Sequence, residues 1–206
     1  MADEHWVKLH DNYTGRDWAH KPSLFAQTVT EYLPKSRTLL ELGAGLGQDS
    51  VYFAEQGYTV TATDLTVDRL NELSSTSIKV LGVDLRNLLP FEDSSFAIVY
   101  AHLSLHYFDD VITKQIFQEI YRILEPSGIL AFFTNSVNDS ENGMGTEIER
   151  NYYEIDGTAK RYFDVESAKR YAAGFEPMLA DNNGETYKDT DKGVHNLIRF
   201  IGLKRE

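Results

Sequence analysis

Glu41-Leu42-Gly43-Ala44-Gly45-Leu46-Gly47-Gln48-Asp49 is the stretch that decides the fold. It follows Thr38-Leu39-Leu40, a short apolar run that the glycines stop, which reads as a buried strand. It leads into a helical stretch over residues 49–56, with Gly57 as the natural C-terminal stop. Small residues between a strand and a helix let the backbone approach a ligand and leave N–H groups facing it. The dinucleotide fingerprint is G-x-G-x-x-G. Here the third glycine comes one place early, at Gly47, and Gln48 holds the later position. That spacing weakens a nicotinamide-dehydrogenase reading. It also keeps Glu41 just before the loop, where a carboxylate could face a ligand's ammonium group.

Strands and helices alternate outward from the loop. Residues 24–33 predict an amphipathic helix between Pro22 and Pro34. β-branched residues over 58–63 predict a second strand, residues 66–73 a helix, 78–83 a third strand and 96–100 a fourth. Residues 111–124 predict a long helix, ended by Pro126 and Gly128 before a fifth strand over 129–134. This is the pattern of an α/β fold with a mostly parallel, doubly wound sheet. A helix over 164–173 follows, N-capped by Asp164. Two strands near 175–179 and 196–203 then flank a polar turn region, 186–193, and are close enough in sequence to pair antiparallel.

The chain has 206 residues, 42% hydrophobic and 25% charged, which suits one domain spanning 1–206. No apolar run reaches the roughly 18 residues that would span a bilayer. The acidic first residues lack an apolar signal segment, so a cytoplasmic location is expected. Cysteine is absent, which removes disulfides, thiolate catalysis and Cys-ligated metals. The six histidines show no metal-ligand spacing, and no metal is expected. A net charge of −12 repels nucleic acid and keeps the protein soluble.

Asp64 ends the second strand and Asp84-Leu85 the third, on the sheet edge where open α/β folds bind ligands. A carboxylate at 64 can accept from ribose hydroxyls. One at 84 can accept from an adenine amino group while the Leu85 N–H donates to the ring. With the loop, and with Leu124-Glu125-Pro126-Ser127-Gly128-Ile129-Leu130, these positions resemble the class I S-adenosylmethionine (SAM)-dependent methyltransferases. The likeness covers nearly the whole chain. The small-molecule, tellurite-resistance type is similar in the segment after the fifth strand. The resemblance implies three layers around seven strands in the order 3-2-1-4-5-7-6, the seventh antiparallel. It implies a SAM site made by Glu41, Gly43, Ala44, Gly45, Gly47, Asp49, Asp64, Leu65, Asp84, Leu85 and Ala101.

The methyl acceptor would face the end of the fourth strand. There His106 and Tyr107 are candidates to orient or deprotonate it, or His106 caps or packs under the next helix. The aromatic N-terminal segment, 1–35, either folds over the cofactor with Tyr13 or Trp18 as a lid or packs on the sheet as an extra helix. In the insert, 136–163, Arg161 or Tyr153 could bind an anionic acceptor, or the insert is a structural hairpin. The expected reaction is methyl transfer to a small molecule, the partner being neither nucleic acid nor membrane. The rival is a SAM- or nucleoside-binding regulatory module without transfer activity.

Overall fold

A computed structural model of the protein describes residues 2–73, 77–187 and 195–205. Two helices, α1 (Ala2–Tyr13) and α2 (Leu24–Thr30), precede β1 (Thr38–Leu42). The chain continues through α3 (Gln48–Glu55), β2 (Thr59–Asp64), β3 (Lys79–Gly82), β4 (Phe96–His102), α4 (Asp110–Ile123) and β5 (Leu124–Thr134). An insert of three short strands, β6 (Thr146–Glu149), β7 (Tyr152–Ile155) and β8 (Thr158–Arg161), forms its own small sheet. Then come α5 (Val165–Tyr171), β9 (Phe175–Glu185) and β10 (His195–Lys204).

The main sheet has seven strands in the order β3-β2-β1-β4-β5-β10-β9. Strands β1 to β5 are parallel, and β10 runs antiparallel to both β5 and β9. This is the expected three-layer architecture, with β9 and β10 as the sixth and seventh strands. The central strands are apolar on both faces because helices cover both. Leu40, Leu42, Val99, Leu130 and Phe132 share a core with Ile116 and Ile120 of α4 and Ala168 of α5. Leu39, Ile98, Ala131 and Phe133 point the other way, onto Phe25 and Val29 of α2 and Phe53 of α3. Each of the Leu, Ile, Val and Phe side chains contributes about 1.5–3 kcal/mol on full burial.

Three local expectations change. The helix read over 66–73 shrinks to a single 3₁₀ turn, Leu70–Leu73: the chain bends at Leu65, and the Thr66 N–H is taken by the Asp64 carboxylate at 3.0 Å. Strand β5 begins directly after α4, at Leu124, before Pro126 and Gly128 rather than after them. Leu124 pairs with Phe96 and Ile129 with Ile98, so the residues between bulge out of the ladder, with Ser127 at φ 59°. Strand β9 runs six residues past 179, through polar Asp181, Asn182 and Asn183. It is an edge strand, where polar and charged residues are normal, and Arg199 of β10 pairs with Asp181 at 2.7 Å. Of the expected turn at 186–193, residues beyond 187 lie outside the described ones.

Candidate active site

Because β1, β2, β3 and β4 are parallel, Leu42, Asp64, Gly82 and His102 end on one edge of the sheet. A cavity of about 600 Å³ opens there, well within the range of small-molecule sites. Gly43, Ala44, Gly45 and Leu46 form part of its wall, and Gly47 does not. The loop is held rigidly by β2. Gly43 and Ala44 both donate to the Thr63 carbonyl at 2.8 Å, Gly45 to Asp64 Oδ2 at 2.9 Å and Gly47 to the Ala44 carbonyl at 2.8 Å. These N–H groups therefore do not form the open cradle that the spacing suggests. Gly43 is left-handed, at φ 74°, and a Cβ there would stand 2.3 Å from Ser104 Cβ. Gly45, at φ 56°, has open space, its nearest neighbour being His10 Nε2 at 3.5 Å.

Two carboxylates are buried in the cavity wall. Glu41 accepts from the Ser50 hydroxyl. Burial, and then the charge of Asp49, hold its carboxyl well above the usual carboxylate range. Asp49 accepts from the Ser23 N–H at 2.6 Å, the Ser23 hydroxyl at 2.8 Å and the Tyr100 hydroxyl at 2.7 Å. Ser23 also caps α2, so one carboxylate ties the starts of α2 and α3 together. Neither acid has a cation within ion-pair distance among the described residues.

Asp64 Oδ1 takes the Thr66 N–H and Oδ2 the Gly45 N–H, which fixes the carboxylate at the cavity wall beside Leu65. A carboxylate has about four acceptor positions, so both oxygens keep capacity for hydroxyl donors. Asp84 and Leu85 line the cavity from the end of β3. Arg86 grips the Asp84 carboxylate at 2.7 Å and holds it below the usual carboxylate range.

The aromatic N-terminal segment lies over this edge. Trp6, Leu9, His10 and Tyr13 of α1, with Trp18 beyond it, line the cavity. Trp6 meets Tyr107 edge-on at 4.6 Å, and Tyr13 meets Trp18 at 5.0 Å. His10 Nδ1 is 3.4 Å from the Thr66 hydroxyl, and burial lowers its pKa. The β7–β8 turn of the insert reaches the same cavity through Gly157, Thr158 and Ala159, and His5 Nε2 lies 3.4 Å from the Thr158 hydroxyl.

The acceptor-side expectations divide. Tyr107 lines the cavity, and burial raises its phenol pKa, so it stands as a hydrogen-bond donor rather than a base. His106 is buried and off the cavity wall, its ring tilted against Tyr107 at 4.1 Å. The reason is Leu103. Its left-handed φ of 53° breaks the alternation of β4, so the wall is made by His102, Leu103, Ser104 and Tyr107. Ala101 lies inside the strand, behind that wall. Arg161 and Tyr153 also stand off the cavity. Arg161 is 5% exposed, pairs with Glu149 at 2.5 Å and donates to the Phe108 carbonyl at 3.1 Å. Tyr153 reaches Glu147 instead, at 3.4 Å.

Sequence reading missed Ser23, Tyr100, His10 and His102. Tyr100, the one phenol in the apolar run from Phe96 to Ala101 of β4, was a usable signal, since a buried hydroxyl needs a partner. The others depend on pairings across long stretches of chain.

Residues 40–132 match the family described as a methyltransferase domain. YqeM of Bacillus subtilis, which carries a provisional methyltransferase name, is 35% identical over 127 residues, 57% of this chain and 51% of that protein. The malonyl-[acyl-carrier protein] O-methyltransferase of Pectobacterium atrosepticum is 31% identical over 124 residues, 59% of this chain and 46% of that one. The chain spans about half the length of these curated relatives. The Burkholderia thailandensis 1,6-didemethyltoxoflavin-N1-methyltransferase, solved with 1,6-didemethyltoxoflavin and S-adenosylhomocysteine, superposes with a TM-score of 0.74 at 18% identity, over 98% of this chain and 85% of that one. TehB of Haemophilus influenzae gives 0.67 at 16% identity, over 87% and 61%. At such identities the likeness to solved structures establishes the fold.

Proposed function

We propose, from the premise that this chain belongs to the class I S-adenosylmethionine-dependent methyltransferases, that it transfers the methyl group of that cofactor to a small molecule held beneath α1. The carrying observation is the pair of buried acids, Glu41 and Asp49, that face the cavity with no cation within ion-pair distance among the described residues. A buried carboxylate without a countercharge is costly. A ligand with an ammonium and a sulfonium supplies that charge. The loop supports the same choice, since the Gly43, Ala44 and Gly45 N–H groups are spent on β2 and are not offered to a pyrophosphate.

Glu41 and Asp49 would hold the cationic amino-acid end, Asp64 the ribose hydroxyls, and Asp84 and Leu85 the adenine. When bound, SAM supplies an electrophilic methyl on sulfur. The protein's part is to align the acceptor and keep water out. Trp6, Tyr13, Trp18 and Tyr107 give an aromatic enclosure, and the Tyr107 hydroxyl can donate one orienting hydrogen bond. The acceptors named for relatives, a malonyl group on its carrier and a toxoflavin nitrogen, support transfer to a group of small size. We read residues 1–206 as one unit, with 1–35 and 136–163 closing the cavity.

Thermal shift and calorimetry test the cofactor. SAM and S-adenosylhomocysteine should each stabilise the fold, by about 2.7 kcal/mol at a hundredfold excess over Kd. 5′-Methylthioadenosine, which lacks the ammonium, should bind at least tenfold more weakly. Equal affinity for it, or stabilisation by NAD alone, would refute the assignment. S-adenosylhomocysteine release is then followed with small thiols, amines, phenols and oxyanions beside tRNA and DNA. Turnover with a small acceptor is expected, and turnover only with nucleic acid would end the small-molecule reading.

A further inference from the structure

We propose that the mouth of the cavity holds a second compartment that binds an anionic group on the acceptor, with Arg16 and Lys21 as its cations. The inference rests on the methyltransferase reading and names the acceptor's chemistry within it. A cavity of about 460 Å³ is lined by Gly15, Arg16, Asp17, Trp18, Lys21 and Tyr187. Trp18, Lys21 and Tyr187 also line the main cavity, so the two share a wall.

The charges in this compartment form no ion pair among the described residues. Among the described residues, Arg16, Lys21 and Asp17 have no ion-pair partner within 4.0 Å, and they do not pair with one another. Among the described lining residues two cations stand against one acid, a local positive balance in a chain whose net charge is −12. An anion approaching through a negative field needs such a local reversal. Arg161, expected from sequence to serve here, is spent on Glu149 and Phe108.

The walls suit a planar body. Lys21 Nζ sits 5.9 Å over the Tyr187 ring, whose hydroxyl is held by Gln27 at 3.0 Å. Trp18 is braced by Tyr13. A flat acceptor packed against Trp18 or Tyr187 would share the compartment with Arg16, whose guanidinium can grip a carboxylate or phosphate in bidentate fashion.

The probes are 2-naphthoate, 2-naphthyl phosphate and neutral 2-naphthamide. Each is titrated against the full chain with and without saturating S-adenosylhomocysteine, followed by tryptophan fluorescence and calorimetry. At least one anion should bind tenfold or more tighter than the amide, and the stronger anion distinguishes a carboxylate site from a phosphate site. The preference should shrink with added salt. The R16Q variant, at a residue that lines only the second compartment, should weaken it at least threefold while keeping the wild-type Tm and, within twofold, the affinity for S-adenosylhomocysteine, and the R16Q/K21Q double variant should lose it. Equal binding of amide and anions, an anion preference that survives in the double variant, or no anion binding at millimolar concentration would overturn the proposal. Failure of S-adenosylhomocysteine to bind the wild type would instead sink the cofactor reading, because anion preference is also measured in its absence.

Discussion

Glu41 combines a structural cost with a binding role. Its folded-state pKa is raised, first by burial and then by Asp49. Between the ordinary glutamate value, about 4.3, and that raised value, the folded chain keeps a proton that the unfolded chain has released. Stability therefore falls as pH rises through this window, and the whole penalty is present above it. Glu41→Gln keeps an acceptor for Ser50 and removes the titration. The unliganded variant should melt at or above wild type at pH 7–8, with a flatter dependence of Tm on pH, and bind SAM at least tenfold more weakly. A lower Tm with the wild-type pH slope would contradict this. Gly43 is constrained by Ser104 rather than by a ligand. Gly43→Ala puts a methyl 2.3 Å from Ser104 Cβ at a φ of 74°, a conformation costing a non-glycine residue about 1–2 kcal/mol before any clash. It should lower Tm more than Gly45→Ala, and Ser104→Gly should recover part of the loss in a double-mutant cycle. No recovery would show that Gly43 serves something other than that contact. At this scale the acids were legible, because Glu41, Asp64 and Asp84 sit at or beside strand ends that hydrophobic runs locate. His106 misled because its side depends on the backbone turn at Leu103, and no residue type announces a left-handed leucine.

Among the elements, α1 spans both halves of the cavity. Its Trp6 touches Tyr107, and its His10 reaches Thr66 beside Asp64 and the glycine loop. Removing residues 1–20 should therefore weaken S-adenosylhomocysteine binding as well as turnover. Trp6→Ala should lower turnover by roughly tenfold, on the scale of about 1.4 kcal/mol, with cofactor affinity nearly intact. Calorimetry beside steady-state kinetics separates the two effects, and a truncation that leaves both unchanged would remove α1 from the site. Periodicity made the helices and central strands readable, since buried strands and amphipathic helices carry unlike patterns. It failed where the backbone is irregular. The chain bends after β2 and leaves only a 3₁₀ turn at Leu70–Leu73, and the bulge after Leu124 lets β5 start before its proline. Strand β9 was underestimated because an edge strand tolerates Asp181, Asn182 and Asn183, which read as loop residues.

For the whole molecule, seven-strand order and the antiparallel last strand followed from motif resemblance and then appeared in the sheet. The arrangement of the insert did not follow, because three four-residue strands carry too little pattern to be separated from a loop. Its β7–β8 turn meets α1 across the cavity mouth, where His5 and Thr158 approach to 3.4 Å. That contact has a kinetic consequence. Buried Glu41 and Asp49 line one part of the cavity and the His5–Thr158 contact joins α1 to the insert over another, so the ligand of the two acids is expected to enter before the acceptor. Turnover should then be ordered, with SAM first on and S-adenosylhomocysteine last off. S-adenosylhomocysteine should inhibit competitively against SAM at every acceptor concentration, while the methylated product should not. Because the bridge must part once per cycle, the maximal rate should also fall as glycerol or sucrose thickens the solvent, and Trp6→Ala should blunt that response.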